Sequence, residues 1–257
     1  MKNLFSVEGK TAVVTGGSSG IGAMMARGFL ENGAKKVYIT ARKVERLVAM
    51  AKTLSEFGEI KAIPGDLSTI QGITDFVDGI KAGEDGIDIL INNAGANWAA
   101  PVEQYPEHGW DKVMNINAKG VFYMTQACLP LLNRGTAEDP ARVVIISSIN
   151  GLRHPRMVNY AYSASKAAAA HMTTHLAVDL APRRINVNGI APGYFPTNMT
   201  KGIAENKQLE DFALRQIPLR RSGTAEDIAG TALYLCSRAG AFVCGHTVVL
   251  DGGTIAQ

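Results

Sequence analysis

Cysteine is scarce in this 257-residue chain, and Cys128, Cys236 and Cys244 form no C-x-x-C pair. An odd number of thiols in apolar segments excludes a disulfide framework and predicts reduced core residues of a cytoplasmic protein. Long apolar runs are missing as well. No stretch approaches the roughly 20 residues that a membrane helix needs. The N-terminus carries a single Lys2 before a short mixed segment and then enters a strand, so neither a membrane partner nor a targeting signal is expected. Nor does one charge dominate. The 26 basic and 23 acidic residues leave +3, and the nearest approach to a basic cluster, Arg183-Arg184, has no basic stripe or interleaved aromatics. Nucleic acid is not expected as a partner. His171 and His175 lack both an H-E-x-x-H context and a third ligand, so no metal is expected either.

What the chain does have is hydrophobic content, 46% of its residues, in a length that fits one domain with a large core. Short β-branched runs recur at Thr11–Thr15, Val37–Thr40, Ile60–Ile63, Ile87–Ile91, Arg142–Ile146, Ile185–Ile190 and Thr247–Leu250. Helical patterns lie between them, at Gly20–Asn32, Lys43–Phe57, Thr69–Ala82, Glu107–Leu132, Tyr160–Leu180 and Ala225–Arg238. Apolar strands alternating with helical crossovers predict a single α/β domain, a doubly wound parallel sheet of about seven strands covered on both faces. Ligands of such sheets bind beyond the carboxyl ends of the strands, so the loops there are where chemistry is sought.

After the first strand comes Gly16-Gly17-Ser18-Ser19-Gly20-Ile21-Gly22, opening a helix. Glycines allow a tight turn and let backbone N–H groups approach a pyrophosphate at the helix N-terminus. A P-loop is disfavoured, because no Gly-Lys-Ser/Thr ending follows. Farther on, Tyr162-Ser163-Ala164-Ser165-Lys166 runs into four alanines. On a helix the phenol and the ammonium share one face, and a nearby cation favours phenolate, so Lys166 is expected to draw the Tyr162 pKa down from about 10.

The G-x-x-x-G-x-G spacing, Asn92-Asn93-Ala94-Gly95, Ser148, Tyr162-x-x-x-Lys166 and Pro192-Gly193 follow one another at successive strand ends. Taken together they resemble the short-chain dehydrogenase/reductase family over nearly the whole chain, and within it the NADPH-dependent 3-oxoacyl reductases, including those of rhamnolipid synthesis. The resemblance implies a catalytic tetrad of Asn117, Ser148, Tyr162 and Lys166. Asn117 would sit where a disturbed helix admits a water, and Ser148 is chosen over Ser147 because Gly151 follows it as in the family. It also implies that Asp66 and Leu67 border the adenine, with Asp66 an N-cap as well. Asn93, Ala94 and Gly95 would border the ribose while mainly holding the strand end. Pro192, Gly193, Phe195 and Thr197 would bind the nicotinamide carboxamide.

Where NAD-using folds place an acid after the second strand, this chain has Ala41, Arg42 and Lys43. Arg42, with Ser18 as a second donor, would clamp a 2′-phosphate, so NADPH is the expected cofactor over NADH. The expected activity is reduction of a ketone, small or carrier-linked, with 3-oxoacyl thioesters as candidates. An alcohol dehydrogenase for steroid, sugar or ring alcohols would use the same tetrad, and a non-enzymatic NADPH sensor tends to lose it. Residues 198–218 occupy the place of the family's substrate lid. Arg153, His154 and Arg156 could meet an acidic substrate, and Arg134 and Arg183 an acidic carrier. His171 and His175 are expected at a subunit interface of a homotetramer.

Overall fold

The computed structural model describes residues 3–155 and 157–257; Lys2 and Arg156, named above, lie outside the described residues. β1 (Thr11–Thr15) is buried along its whole length, and its side chains alternate between two cores. Ala12 and Val14 enter one and Val13 the other, as the two-residue period of a strand requires. β2 (Lys36–Thr40), β3 (Ile60–Ala62), β4 (Ile89–Asn92), β5 (Ala141–Ile146), β6 (Ile185–Pro192) and β7 (Thr247–Leu250) complete a seven-stranded sheet in the order β3-β2-β1-β4-β5-β6-β7. All six pairings are parallel, with Ala12 opposite Val37 on one side and Ile89 on the other. The sheet is the doubly wound one expected.

One face is covered by α1 (Gly20–Glu31), α2 (Val44–Leu54) and α9 (Ala225–Cys236), which contribute Met25, Phe29, Leu47 and Ile228 to the first core. The other is covered by α3 (Ile70–Lys81), α5 (Gly120–Cys128) and α6 (Tyr160–Leu180), through Phe76, Ile80, Met124 and Ala169. The sequence pattern predicted one helix over Glu107–Leu132. The structure instead has α4 (Glu107–Met114), a π turn at Asn115–Lys119 and then α5, which stops at Cys128. The segment expected as a lid holds two short helices, α7 (Lys201–Ala204) and α8 (Lys207–Arg215), neither with a buried residue.

Two further expectations are corrected. Cys244 is exposed, whereas Cys128 and Cys236 are buried, with thiol pKa values that burial pushes up to about 12. Asp66 does not cap the next helix. Thr69 does, accepting from Gly72 N, while Asp66 Oδ1 takes the N–H and hydroxyl of Ser68 in a local turn.

Candidate active site

At the switch point of the sheet, where β1 lies between β2 and β4, Thr15 and Asn93 join two strand ends. Thr15 Oγ1 donates to Ile91 O at 3.1 Å and accepts from Asn93 N and Ala94 N at 2.9 Å. Asn93 Nδ2 donates to Thr15 O at 2.8 Å. Gly16 has φ +68°, and a Cβ there would fall 2.9 Å from Ala94 Cα and Asn93 Nδ2, so the turn admits only glycine. Sequence reasoning assigned Asn93 a mainly stabilising role but did not include Thr15, whose part depends on contacts about eighty residues away in the chain.

The strand-end loops enclose a cleft of about 690 Å³. Of the cofactor contacts expected from the sequence, Asp66 alone does not line it; Gly65 and Leu67, on either side, do. Ser148, Tyr162 and Lys166 also line it, whereas Asn117 stands behind the wall and its neighbour Ile116 faces in. At the other end, beyond β2, stand Arg42, Lys43 and Arg46, all exposed, with no carboxylate among the lining residues. Arg46 had not been singled out; its position one helical turn beyond Arg42 was the available signal. Also at this end, Thr40 Oγ1 is buried without a partner among the described residues. A glycine cradle too close for side chains, a helix N-terminus and three cations suit a dinucleotide carrying an extra phosphate.

Near the catalytic candidates the polar groups fall into supports and free ends. Ser147 Oγ donates to Lys166 O at 2.8 Å, so this hydroxyl ties β5 to α6. The Ser148 hydroxyl accepts from Asn150 N at 3.2 Å and faces the same cleft as the Tyr162 phenol. A Cβ on Gly151 would lie 2.4 Å from the Lys166 carbonyl carbon, so the Ser148 loop can seat against α6 only with glycine there. Lys166 Nζ donates to Ile146 O at 2.7 Å and lies 5.7 Å from the Tyr162 ring centroid. Burial lowers its pKa to about 8. Tyr162 departs from expectation. Burial raises its pKa above 10, the nearby Ser148 hydroxyl opposes this, and Lys166 does not bring it down.

Asn117 is fully buried on the π turn. Its Oδ1 accepts from Ala96 N at 2.8 Å, and its Nδ2 donates to Ala96 O at 2.9 Å and to Ser165 Oγ at 3.0 Å. This side chain clamps the loop after β4 onto α6. Gly95 lies between the two, since a Cβ there would meet Asn117 Oδ1 at 3.1 Å and Lys166 Nζ at 3.7 Å. In the Pro192–Thr197 segment the Phe195 ring is buried and its carbonyl takes the Thr200 hydroxyl at 2.6 Å. Thr200 Oγ1 also accepts from Thr197 N at 2.9 Å, a support that sequence reasoning missed.

Several basic residues are not at the cleft. Arg134 lies 3.6 Å from Glu84 and from Asp88 at the amino edge of the sheet, and Arg183 follows the far end of α6. α6 has 21 residues, so Arg183 stands about 30 Å from Tyr162 of the same chain, and neither arginine lines this chain's cleft. Arg153 donates to Thr254 O at 3.0 Å and Gln257 O at 3.3 Å, fastening the C-terminal segment rather than facing the cleft freely. His171 and His175 are exposed on α6.

A family model described as enoyl-(acyl carrier protein) reductase matches residues 16–254, from the glycine turn to the C-terminal segment. The rhamnolipids biosynthesis 3-oxoacyl-[acyl-carrier-protein] reductase of Pseudomonas aeruginosa is 44% identical over 254 residues, 98% of this chain and 99% of that one. The chain belongs to the short-chain dehydrogenase/reductase family. It is an oxidoreductase by that membership. A second member, the gluconate 5-dehydrogenase of Gluconobacter oxydans, is 35% identical over 98% of this chain and 96% of its own. The solved Pseudomonas aeruginosa RhlG/NADP active-site complex superposes with a TM-score of 0.95 at 44% identity, covering 99% of each chain.

Proposed function

We propose that this short-chain dehydrogenase/reductase is an NADPH-dependent carbonyl reductase, with 3-oxoacyl thioesters as its first candidate substrates. The observation that carries the reading is the placing of Ser148, Tyr162 and Lys166 on the wall of one cleft whose far end offers Arg42, Lys43 and Arg46 and no acid. Bound NADPH supplies a hydride. Ser148 and Tyr162 direct their hydroxyls at the ketone oxygen and favour the charge that develops there. Burial keeps the phenol protonated at neutral pH, so Tyr162 has a proton to give as the oxygen becomes a hydroxyl. Lys166, held by Ile146 O and beside the phenol, would hold the nicotinamide ribose of a bound cofactor. Asn117 fixes the loop beside Lys166, and a water chain past its π turn would restore the proton. The same groups run the reverse oxidation, and cofactor supply sets the direction.

Arg42 and Arg46, with Ser18 as a further donor, would hold the extra phosphate of NADPH, which NADH lacks. A sugar-acid or ring alcohol is the second reading, favoured by the identity to gluconate 5-dehydrogenase. Cytoplasmic residence fits the two buried, unreactive thiols. A homotetramer would cover the exposed Trp110, Phe122 and Val178 on α4, α5 and α6. The test is a screen of 3-oxoacyl thioesters against sugar, cyclic and steroid ketones, following NADPH absorbance. Activity on none of them would remove the proposal.

A further inference from the structure

Between the Pro192–Thr197 segment and the lid stands Thr200. Its Oγ1 donates to Phe195 O at 2.6 Å and accepts from Thr197 N at 2.9 Å, while Thr200 N donates to Thr197 O at 3.1 Å. The chain is folded back on itself there. On the near side of this fold the backbone is firmly seated, because Gly193 N donates to Leu250 O at 2.9 Å and Gly223 N to Tyr194 O at 3.0 Å, and the buried Phe195 ring fills the space that a Cβ on Gly223 would need. Phe195 is fixed to the sheet edge.

Beyond Phe195 that support ends. Pro196 has no N–H to donate, and Pro196, Asn198 and Met199 are exposed. Thr197 nevertheless stands close against the glycine turn, since a Cβ on Gly20 would lie 3.2 Å from its Cβ and Cγ2. Among the described residues, the Thr200 hydroxyl supplies the one partner of Phe195 O and of the Thr197 N–H. The same residue opens the lid, whose Ile203 N and Ala204 N donate to Thr200 O at 2.9 and 3.2 Å and whose helices bury nothing. One hydroxyl therefore ties an exposed stretch of cleft wall to a rigid one. A bond that holds a binding group in place acts on residence more than on encounter, so its loss is read in the dissociation rate.

We propose that Thr200 is a positioning residue whose hydroxyl latches Thr197 against the glycine turn and thereby sets how long a dinucleotide stays in the cleft. This rests on the NADPH-binding part of the reading above. The Thr200 hydroxyl is already committed to protein partners, and the contact with the cofactor would belong to Thr197, which lines the cleft beside Gly20.

The test is stopped-flow displacement of bound NADPH by excess NADP, read by NADPH fluorescence, in wild type, Thr200→Val, Thr200→Ala and Thr200→Ser. Valine keeps the branched shape without the hydroxyl, and serine keeps the hydroxyl without the methyl group. Alanine repeats the loss of the hydroxyl, so the result does not hang on one variant folding. NADPH should leave the valine and alanine variants on the order of 10-fold faster than wild type, as the loss of two ordinary hydrogen bonds implies, with the association rate nearly unchanged. Thr200→Ser should release it as wild type does. Unchanged dissociation in the valine and alanine variants overturns the proposal whatever their Tm, because support of the fold alone lowers stability and leaves residence untouched. Equal acceleration in the serine and valine variants also overturns it, since the methyl group would then be the group in use. Slower association in place of faster dissociation does the same. A wild type whose fluorescence does not respond to NADPH removes the parent reading, which distinguishes that failure from this one.

Discussion

Tyr162 and Lys166 stand one helical turn apart, and burial acts on them in opposite senses. It favours the neutral form of both, so the phenol holds its proton more tightly and the ammonium less tightly than in water. Tyr162→Phe should leave NADPH affinity nearly intact in a fluorescence titration and lower turnover by at least about 10²-fold. Lys166 also links stability to pH. Its pKa is about 8 folded, against about 10.4 for an unfolded lysine, so below pH 8 the folded state bears the cost of a buried cation. Between pH 8 and about 10.4 the folded form releases that proton first, and wild-type stability rises relative to a variant without the group. The Tm difference between Lys166→Met and wild type should therefore move in the wild type's favour across that window. A constant difference would show that the ammonium is not desolvated. Arg42 gives a prediction of choice rather than rate. Hydrogen bonds to charged groups contribute about 1.5–3 kcal/mol, so NADPH should exceed NADH by roughly 10- to 100-fold in kcat/KM. Ala41→Asp with Arg42→Ala should invert that preference; if it persists, Arg42 is only a solvated helix residue.

At the scale of elements, close backbone approaches set the site. The Ser148 loop and α6 meet at Gly151, where any Cβ would collide with the Lys166 backbone. Gly151→Ala should cost about 1–3 kcal/mol in urea unfolding and reduce turnover more than it raises the NADPH KM, because it displaces Ser148 and not the glycine turn. The strands and long helices could be read from the sequence because their apolar periods are clean, as at Val13 and Val14 or Phe76 and Ile80. The π turn could not be read from periodicity, because an extra residue in one turn shifts the apolar pattern without ending it; only the resemblance pointed to Asn117. Asp66 was misread as a cap because Asp, Ser and Thr within four positions all suit that role, and the Gly72 N–H chose Thr69. The ion pairs of Arg134 could not be read from the sequence, because Glu84 and Asp88 lie near it only once the sheet has formed. The lid helices left little signal, since neither buries a residue.

Across the whole molecule, the cleft at the carboxyl edge is matched by an ionic belt at the amino edge. Lys36 Nζ is 2.9 Å from Glu84 and 3.1 Å from Glu59, and Arg134 adds a second cation to Glu84. Burial alone would push the Glu84 carboxyl up, but Lys36 and the other cations hold it below the usual range. Breaking a buried pair costs about 3–5 kcal/mol, so Glu84→Gln should lower Tm by several degrees and leave the NADPH KM unchanged. Because the folded pKa is depressed, the contribution is present at neutral pH and lost as pH falls through it, and the wild-type advantage should close in acid.

The sheet order has a consequence for a nicked chain. Arg220 sits in the left-handed region at φ 55°, on an exposed stretch between α8 and α9, where trypsin can cut. The piece beyond it contains α9 and β7, yet little of what holds it depends on the severed bond. β7 pairs with β6 from Gly189–Thr247 to Pro192–Leu250, Gly28 of α1 packs directly on Ala229, and Arg142 donates to the carbonyls of Leu235 and Ser237. Arg153 fastens Thr254 from the other side. The two fragments should leave a sizing column as one particle of unchanged radius and part only in denaturant, much as two separately made halves would find each other.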